Sequence, residues 1–240
     1  MRAYAVTDIG RERSINQDYV YYSLEMVGNL PNLFIVADGM GGHKAGDIAS
    51  RYTVETLISL IENSPESDPV SIINDAIVYV NTLLLEKAKE SPDYTGMGTT
   101  LVVATICDNI LKVANVGDSR LYIIGNEITQ ITRDHSLVEE MVSLGEIDRN
   151  EARTHSQKNI ITRAIGGYET VQPEIFSIDL KERQKIFMCT DGMTNMVEDS
   201  QILRIVKNSG SNIEAAVENL VEAANENGGK DNISAMIIEP

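Results

Sequence analysis

Apolar residues in this 240-residue chain fall into two patterns. Short dense runs at residues 3–7, 19–24, 33–37, 101–107, 110–116, 121–124, 174–178, 185–189 and 233–238 have the length of strands. Apolar positions spaced three or four apart at residues 47–63, 69–90, 200–208 and 213–225 predict amphipathic helices. Pro65 separates the first helix pair, and Asp108-Asn109 and Gly125-Asn126 read as turns between strands. The order is strands, two helices, many strands, two helices, one strand. That order predicts an α+β fold of two packed antiparallel sheets with helices outside them. Residues 134–167 are more polar and carry two short helical pieces, at 137–144 and 149–155. They read as an insertion or flap within one domain spanning residues 1–240.

Composition narrows the class. The hydrophobic fraction of 42% suits a globular core, and no apolar run is long enough to span a membrane. The first residues lack the layout of a secretory signal. Cys107 and Cys189 sit in apolar runs and read as buried free thiols of a cytoplasmic protein rather than a disulfide or zinc site. A formal net charge of −16 disfavours nucleic acid and anionic membranes as partners. Much of that charge, including Glu214, Glu218, Glu222 and Glu226, reads as a solvated helix face.

Candidate chemistry starts where the run at 33–37 meets Asp38. Gly39, Gly41, Gly42 and Gly46 follow, and glycine lets backbone come close to a ligand. Alone, Asp-Gly-Met-Gly-Gly is equally well a tight turn. Three further aspartates recur at strand ends or beside glycine: Asp118 in Val-Gly-Asp-Ser-Arg, Asp191 in Cys-Thr-Asp-Gly and Asp231 in Lys-Asp-Asn. Carboxylates converging from separate strands are what a pair of hard cations, Mg²⁺ or Mn²⁺, needs. Asn115 and Ser119 read as shaping the turn at Asp118, and His135 and His155 as structural or exposed. Asn232-Ile-Ser234 is formally a glycosylation sequon, discounted because it overlaps the Asp231 motif.

Taken together, residues 13–18, 38–46, 98–100, 115–120, 190–192 and 231–232 resemble, in order, the motifs of the metal-dependent protein phosphatases of type 2C, most closely the compact bacterial members. The resemblance implies a four-layer α-β-β-α sandwich, two antiparallel sheets flanked by helix pairs. It implies hydrolysis of phosphoserine and phosphothreonine in proteins, in opposition to a Ser/Thr kinase, by attack of a metal-bridging water or hydroxide. Carried over by position, Asp38 bridges two metals and the Gly39 carbonyl is a further ligand. Asp191 and Asp231 hold the first metal, and Asp118 with Asp191 holds a third ion. Arg13 grips phosphate and Asp18 orients the attacking water. Two positions depart from common patterns: Gln17 stands where many relatives carry Glu, and Met40 where eukaryotic members carry His. His43, close by, is then a candidate general acid, with a helix cap or a solvent-facing side chain as the alternative.

The residues support this chemistry without the family. Two cations make hydroxide available near neutral pH and neutralise phosphoryl charge, while an arginine fork matches phosphate oxygens. Neither cysteine lies in a phosphate-cradling loop, which argues against a cysteine phosphatase. Two other readings remain: an inactive binding module of the same fold, and a two-metal hydrolase of small phosphoesters. The expected protein partners are phosphorylated substrates met by a monomeric enzyme.

Overall fold

The computed structural model describes residues 1–42 and 45–240. The chain opens with β1 (Arg2–Asp8), β2 (Asp18–Ser23) and β3 (Leu33–Met40), followed by α1 (Ala45–Glu62) and α2 (Pro69–Ala88). Strands β4 (Gly98–Thr99), β5 (Leu101–Cys107), β6 (Ile110–Val116), β7 (Arg120–Ile124) and β8 (Ile128–Gln130) come next. The insertion carries α3 (Leu137–Ser143) and α4 (Arg149–Thr154). The chain then runs through β9 (Glu174–Asp179), β10 (Lys185–Cys189), α5 (Asp191–Thr194), α6 (Asp199–Asn208), α7 (Ile213–Glu226) and β11 (Ile233–Glu239).

Two antiparallel sheets result, in the orders β1-β11-β10-β7-β8 and β2-β3-β5-β6-β9, with β4 beside β3. Strand β3 explains why an unbroken apolar run is required. Leu33, Ile35 and Ala37 pack under α1 and α2 with Leu57, Ile61, Ile77 and Leu84. Phe34 and Val36, on the opposite face, pack between the sheets with Met188, Met236 and Ile238. With side chains alternating across the pleat, a strand covered on both faces must be apolar at every position. Strand β10 repeats the logic, Phe187 and Cys189 packing with Val217 and Leu220 of α7 while Ile186 and Met188 meet the other sheet. Each fully buried Leu, Ile or Phe contributes roughly 1.5–3 kcal/mol of transfer free energy. These three apolar layers are the expected α-β-β-α sandwich.

Local signals act as the residue types predict. Asp68 caps α2 by accepting from the Ser71 amide at 2.9 Å, with Pro69 in the first turn. Asp108 and Asn109 both take positive φ, 49° and 64°, as a tight hairpin twist demands. In the flap, Asp148 and Glu151 form a reciprocal capping box at the start of α4.

Three expectations are corrected. The apolar run at 33–37 does not end the strand: β3 continues to Met40 because β4 takes over its pairing where β5 leaves off, Gly39 lying opposite Thr99. Asp191 is the first residue of a one-turn helix rather than a strand terminus. Cys107, at the end of β5, is half-buried, whereas Cys189 is fully buried. Among the described residues, no helix is long and apolar enough to cross a membrane.

Candidate active site

Antiparallel pairing gathers the aspartates at one end of the sandwich. In register, Asp18 at the start of β2 faces Asp38 in β3. Strand β5 begins beside the end of β6, Leu101 opposite Val116, so the link carrying Asp118 leaves from the same end. In the other sheet Cys189 pairs with Ala235, which brings Asp191, just after β10, beside Asp231, just before β11. Arg13, Asp38, Gly39, Asp118, Asp191 and Asp231 thereby line one cavity of about 240 Å³, to which the flap contributes Asn159 and Ile161.

The backbone of this cavity is tightly held. The Asp38 amide donates to Thr100 Oγ1 at 2.9 Å, and the Asp38 carbonyl accepts from the Thr100 amide and from Thr99 Oγ1, each at 2.9 Å. A Cβ on Gly39 would lie 2.0 Å from the Gly46 carbonyl oxygen and 2.7 Å from that of Gln17. A Cβ on Gly192 would lie 2.0 Å from the Asn232 carbonyl oxygen. Only glycine permits these backbone crossings.

Asp18 lies behind the cavity, nearly inaccessible. Its Oδ2 accepts from Thr190 Oγ1 at 2.8 Å and Ser234 Oγ at 2.7 Å, while Oδ1 is buried with no hydrogen-bond partner among the described residues. Asp118 Oδ1 is likewise buried and unpartnered. Asp191 touches the Asp38 side chain and accepts from Asn195 Nδ2 at 2.9 Å. Asp231 accepts from Arg13 at 2.8 Å and from the Asn232 amide at 2.9 Å.

Crowded like charges leave their mark on proton affinity. Burial, more than the pull of Ser234 and Thr190, pushes Asp18 up to about 7. Burial and then the Asp231 charge push Asp191 up to about 6. Asp38 and Asp118 stand well above the carboxylate range, chiefly through burial and then neighbouring aspartates. Asp38 and Asp191 are only partly buried where they line the cavity. An enclosure of carboxylates with two orphaned buried oxygens calls for positive charge.

The donors are all oxygen, which suits Mg²⁺ or Mn²⁺. Among the described residues no three His, Cys, Asp or Glu side chains already close on one point. A small hard cation does not require that, since it keeps several waters and uses one or two carboxylates. The residues present therefore fit such ions.

His43 lies outside the described residues. The remaining expected site residues lie at this one end: Asp18 behind the cavity and the others lining it. His135 is structural, as expected: its Nδ1 accepts from the Gly117 amide at 3.1 Å and its Nε2 lies 3.4 Å from Glu174. Asn115 and Ser119 also shape the Asp118 turn, through the Arg133 carbonyl and Thr100 Oγ1.

Sequence reasoning passed over several supporting residues. Thr190 and Ser234 hold Asp18, and the signal was partial: Ser234 is a hydroxyl inside a strand-like apolar stretch, and Thr190 directly follows one. Asn232, buried, donates to the carbonyls of Ile9 and Ile15 at 2.9 and 3.0 Å and accepts from the Gln17 amide at 2.9 Å. It clasps the loop bearing Arg13 and offers no accessible sequon.

The family model described as protein phosphatase 2C matches residues 10–237. The chain is 37% identical over 238 residues to protein phosphatase PhpP of Streptococcus pneumoniae, covering 97% of this chain and 95% of that one. It is 37% identical over 244 residues to serine/threonine phosphatase stp of Listeria monocytogenes, covering 100% and 96%. The structure is similar to serine/threonine phosphatase Stp1 of Staphylococcus aureus, with a TM-score of 0.90 at 35% identity over 99% and 95% of the two chains. It is also similar to the catalytic domain of serine threonine protein phosphatase PstP in complex with two manganese ions, with a TM-score of 0.86 at 32% identity over 98% and 96%.

Proposed function

The chain belongs to the protein phosphatase 2C family, and from that premise we infer how its own residues carry out the reaction. It is a metal-dependent protein serine/threonine phosphatase acting on phosphoproteins. The observation that carries the assignment of the site is the convergence of Asp38, Asp118, Asp191 and Asp231 with Arg13 around one cavity. When bound there, divalent cations supply hydroxide near neutral pH and neutralise charge on the phosphoryl oxygens.

Asp38, Asp191 and Asp231, with the Gly39 carbonyl, would hold two ions, and Asp118 with Asp191 would hold a third. The manganese complex of PstP supports a divalent cation, Mn²⁺ or Mg²⁺, in this role. Arg13 is half-exposed at the cavity and leans on Asp231. Its planar fork can release that carboxylate and grip a phosphomonoester in line for attack. Asp18, fixed by Thr190 and Ser234, keeps an unpartnered oxygen with which it would orient the attacking water. The enzyme acts as one catalytic domain and as a monomer, in the bacterial cytoplasm, on the targets of a Ser/Thr kinase. Its net charge of −16 disfavours nucleic-acid partners.

Phosphate release from a phosphothreonine peptide tests the assignment, with Mn²⁺, with EDTA, and for Asp38→Asn. Release should require Mn²⁺ and vanish in the variant. Undiminished turnover by a folded Asp38→Asn protein would overturn the placement of the ions.

A further inference from the structure

The flap reaches the ion site by a route separate from the cavity wall. Lys158 Nζ donates to Asn195 Oδ1 at 3.2 Å, and Asn195 Nδ2 donates to Asp191 Oδ2 at 2.9 Å. Arg153 adds a longer contact to the Thr194 carbonyl, at 3.5 Å. All three core groups belong to α5 or its cap, and the Asn195 amide also closes that turn on the Asp191 carbonyl at 2.7 Å. Residue 159, next to Lys158, lines the cavity beside Asp38 and Asp191.

We propose that Asn195 is a positioning residue that couples seating of the flap to ion binding at Asp191. The inference rests on Asp191 being an ion ligand. A carboxamide is bipolar, with two donors at one end and an acceptor at the other. Lys158 can be satisfied only by the oxygen end, so its ammonium turns the NH₂ end toward Asp191. That hydrogen bond selects one carboxylate orientation, which would otherwise be set by the contact with Asp38 and repulsion from Asp231. The coupling is reciprocal: an ion that favours this Asp191 orientation also favours the seated flap, and seating strengthens the ion's hold by the same factor. The seat of Asn159 over the cavity thereby follows ion occupancy.

The test is Mn²⁺ titration of the full chain, followed by the electron paramagnetic resonance of free Mn²⁺, for wild type, Lys158→Met, Asn195→Ala, their double variant and Asp191→Asn. Melting curves establish that each is folded. Asp191→Asn should abolish the tightest class of binding. Asn195→Ala should weaken that class about tenfold or more, as loss of a ligand-orienting partner commonly does. Lys158→Met should weaken it roughly two- to fivefold, the scale of one modest hydrogen bond. The double variant should bind no more weakly than Asn195→Ala, since both substitutions break one chain of contacts. Mn²⁺ should also slow amide exchange across residues 153–161 in wild type and not in Asn195→Ala. Wild-type affinity in Lys158→Met, or losses that multiply in the double variant, would overturn the coupling while Asp191 stands as a ligand. Full affinity in Asp191→Asn would instead remove the ligand assignment beneath it.

Discussion

Replacing Thr190 with valine removes one hydroxyl from the least accessible part of the site and leaves the side-chain outline almost unchanged. Thr190 is fully buried. Its Oγ1 donates to Asp18 Oδ2 at 2.8 Å and accepts from the Ser234 amide at 3.0 Å. A hydrogen bond to a charged group contributes about 1.5–3 kcal/mol and a neutral one about 0.5–1.5. The methyl that replaces the hydroxyl returns less than about 1 kcal/mol of burial free energy. The net loss is therefore about 1–4 kcal/mol, at roughly 2–4 °C of melting temperature per kcal/mol for a chain of this size. Thr190→Ser keeps both hydrogen bonds and should recover most of the loss. A second readout separates positioning from mere stability. The Thr190 hydroxyl lowers the proton affinity of Asp18, so its removal should move the acidic limb of kcat to higher pH. Stability within about 0.5 kcal/mol of wild type together with an unmoved limb would refute the role given to Thr190.

Three further outcomes are expected. Gly192→Ala would force a methyl to within 2.0 Å of the Asn232 carbonyl oxygen, backbone that cannot swing aside. It should cost at least about 3 kcal/mol by denaturant unfolding and weaken Mn²⁺ binding, and a well-folded variant with native affinity would contradict the crossing. Asn232→Asp turns an oxygen toward the Ile9 and Ile15 carbonyls, at 2.9 and 3.0 Å. Loss of about 2–5 kcal/mol should follow, with the Arg13 loop becoming protease-sensitive. The metal-free protein should lose stability as pH rises. Asp18 and Asp191, pushed up to about 7 and about 6, bind protons more tightly folded than unfolded. Their contribution is thus full below about pH 4 and is lost as pH climbs through 6 and 7. Melting curves across pH 4–8 should show this decline, and saturating Mn²⁺ should flatten it. A metal-free protein that gains stability over that range would contradict the crowding of these carboxylates.

Much of this protein was legible in its residue order because the relevant physics is local. Strands buried on both faces must be apolar throughout, so β3, β5, β10 and β11 announce themselves. Capped helices with apolar stripes do the same, as Asp68-Pro69 does for α2. The aspartates could be singled out because four of them recur at the ends of apolar runs or beside glycine, where one alone reads equally well as a turn. Tertiary structure decided the rest, since pairing register and backbone proximity are non-local. The extension of β3 through Asp38 depends on a two-residue strand, β4, that carries no periodicity of its own. That Thr190 and Ser234, 44 positions apart, meet on Asp18 follows only from the antiparallel pairing of β10 with β11 and the approach of β2. The amide of Asn195, silent in the sequence, acquires meaning from the flap residue that folds back onto it.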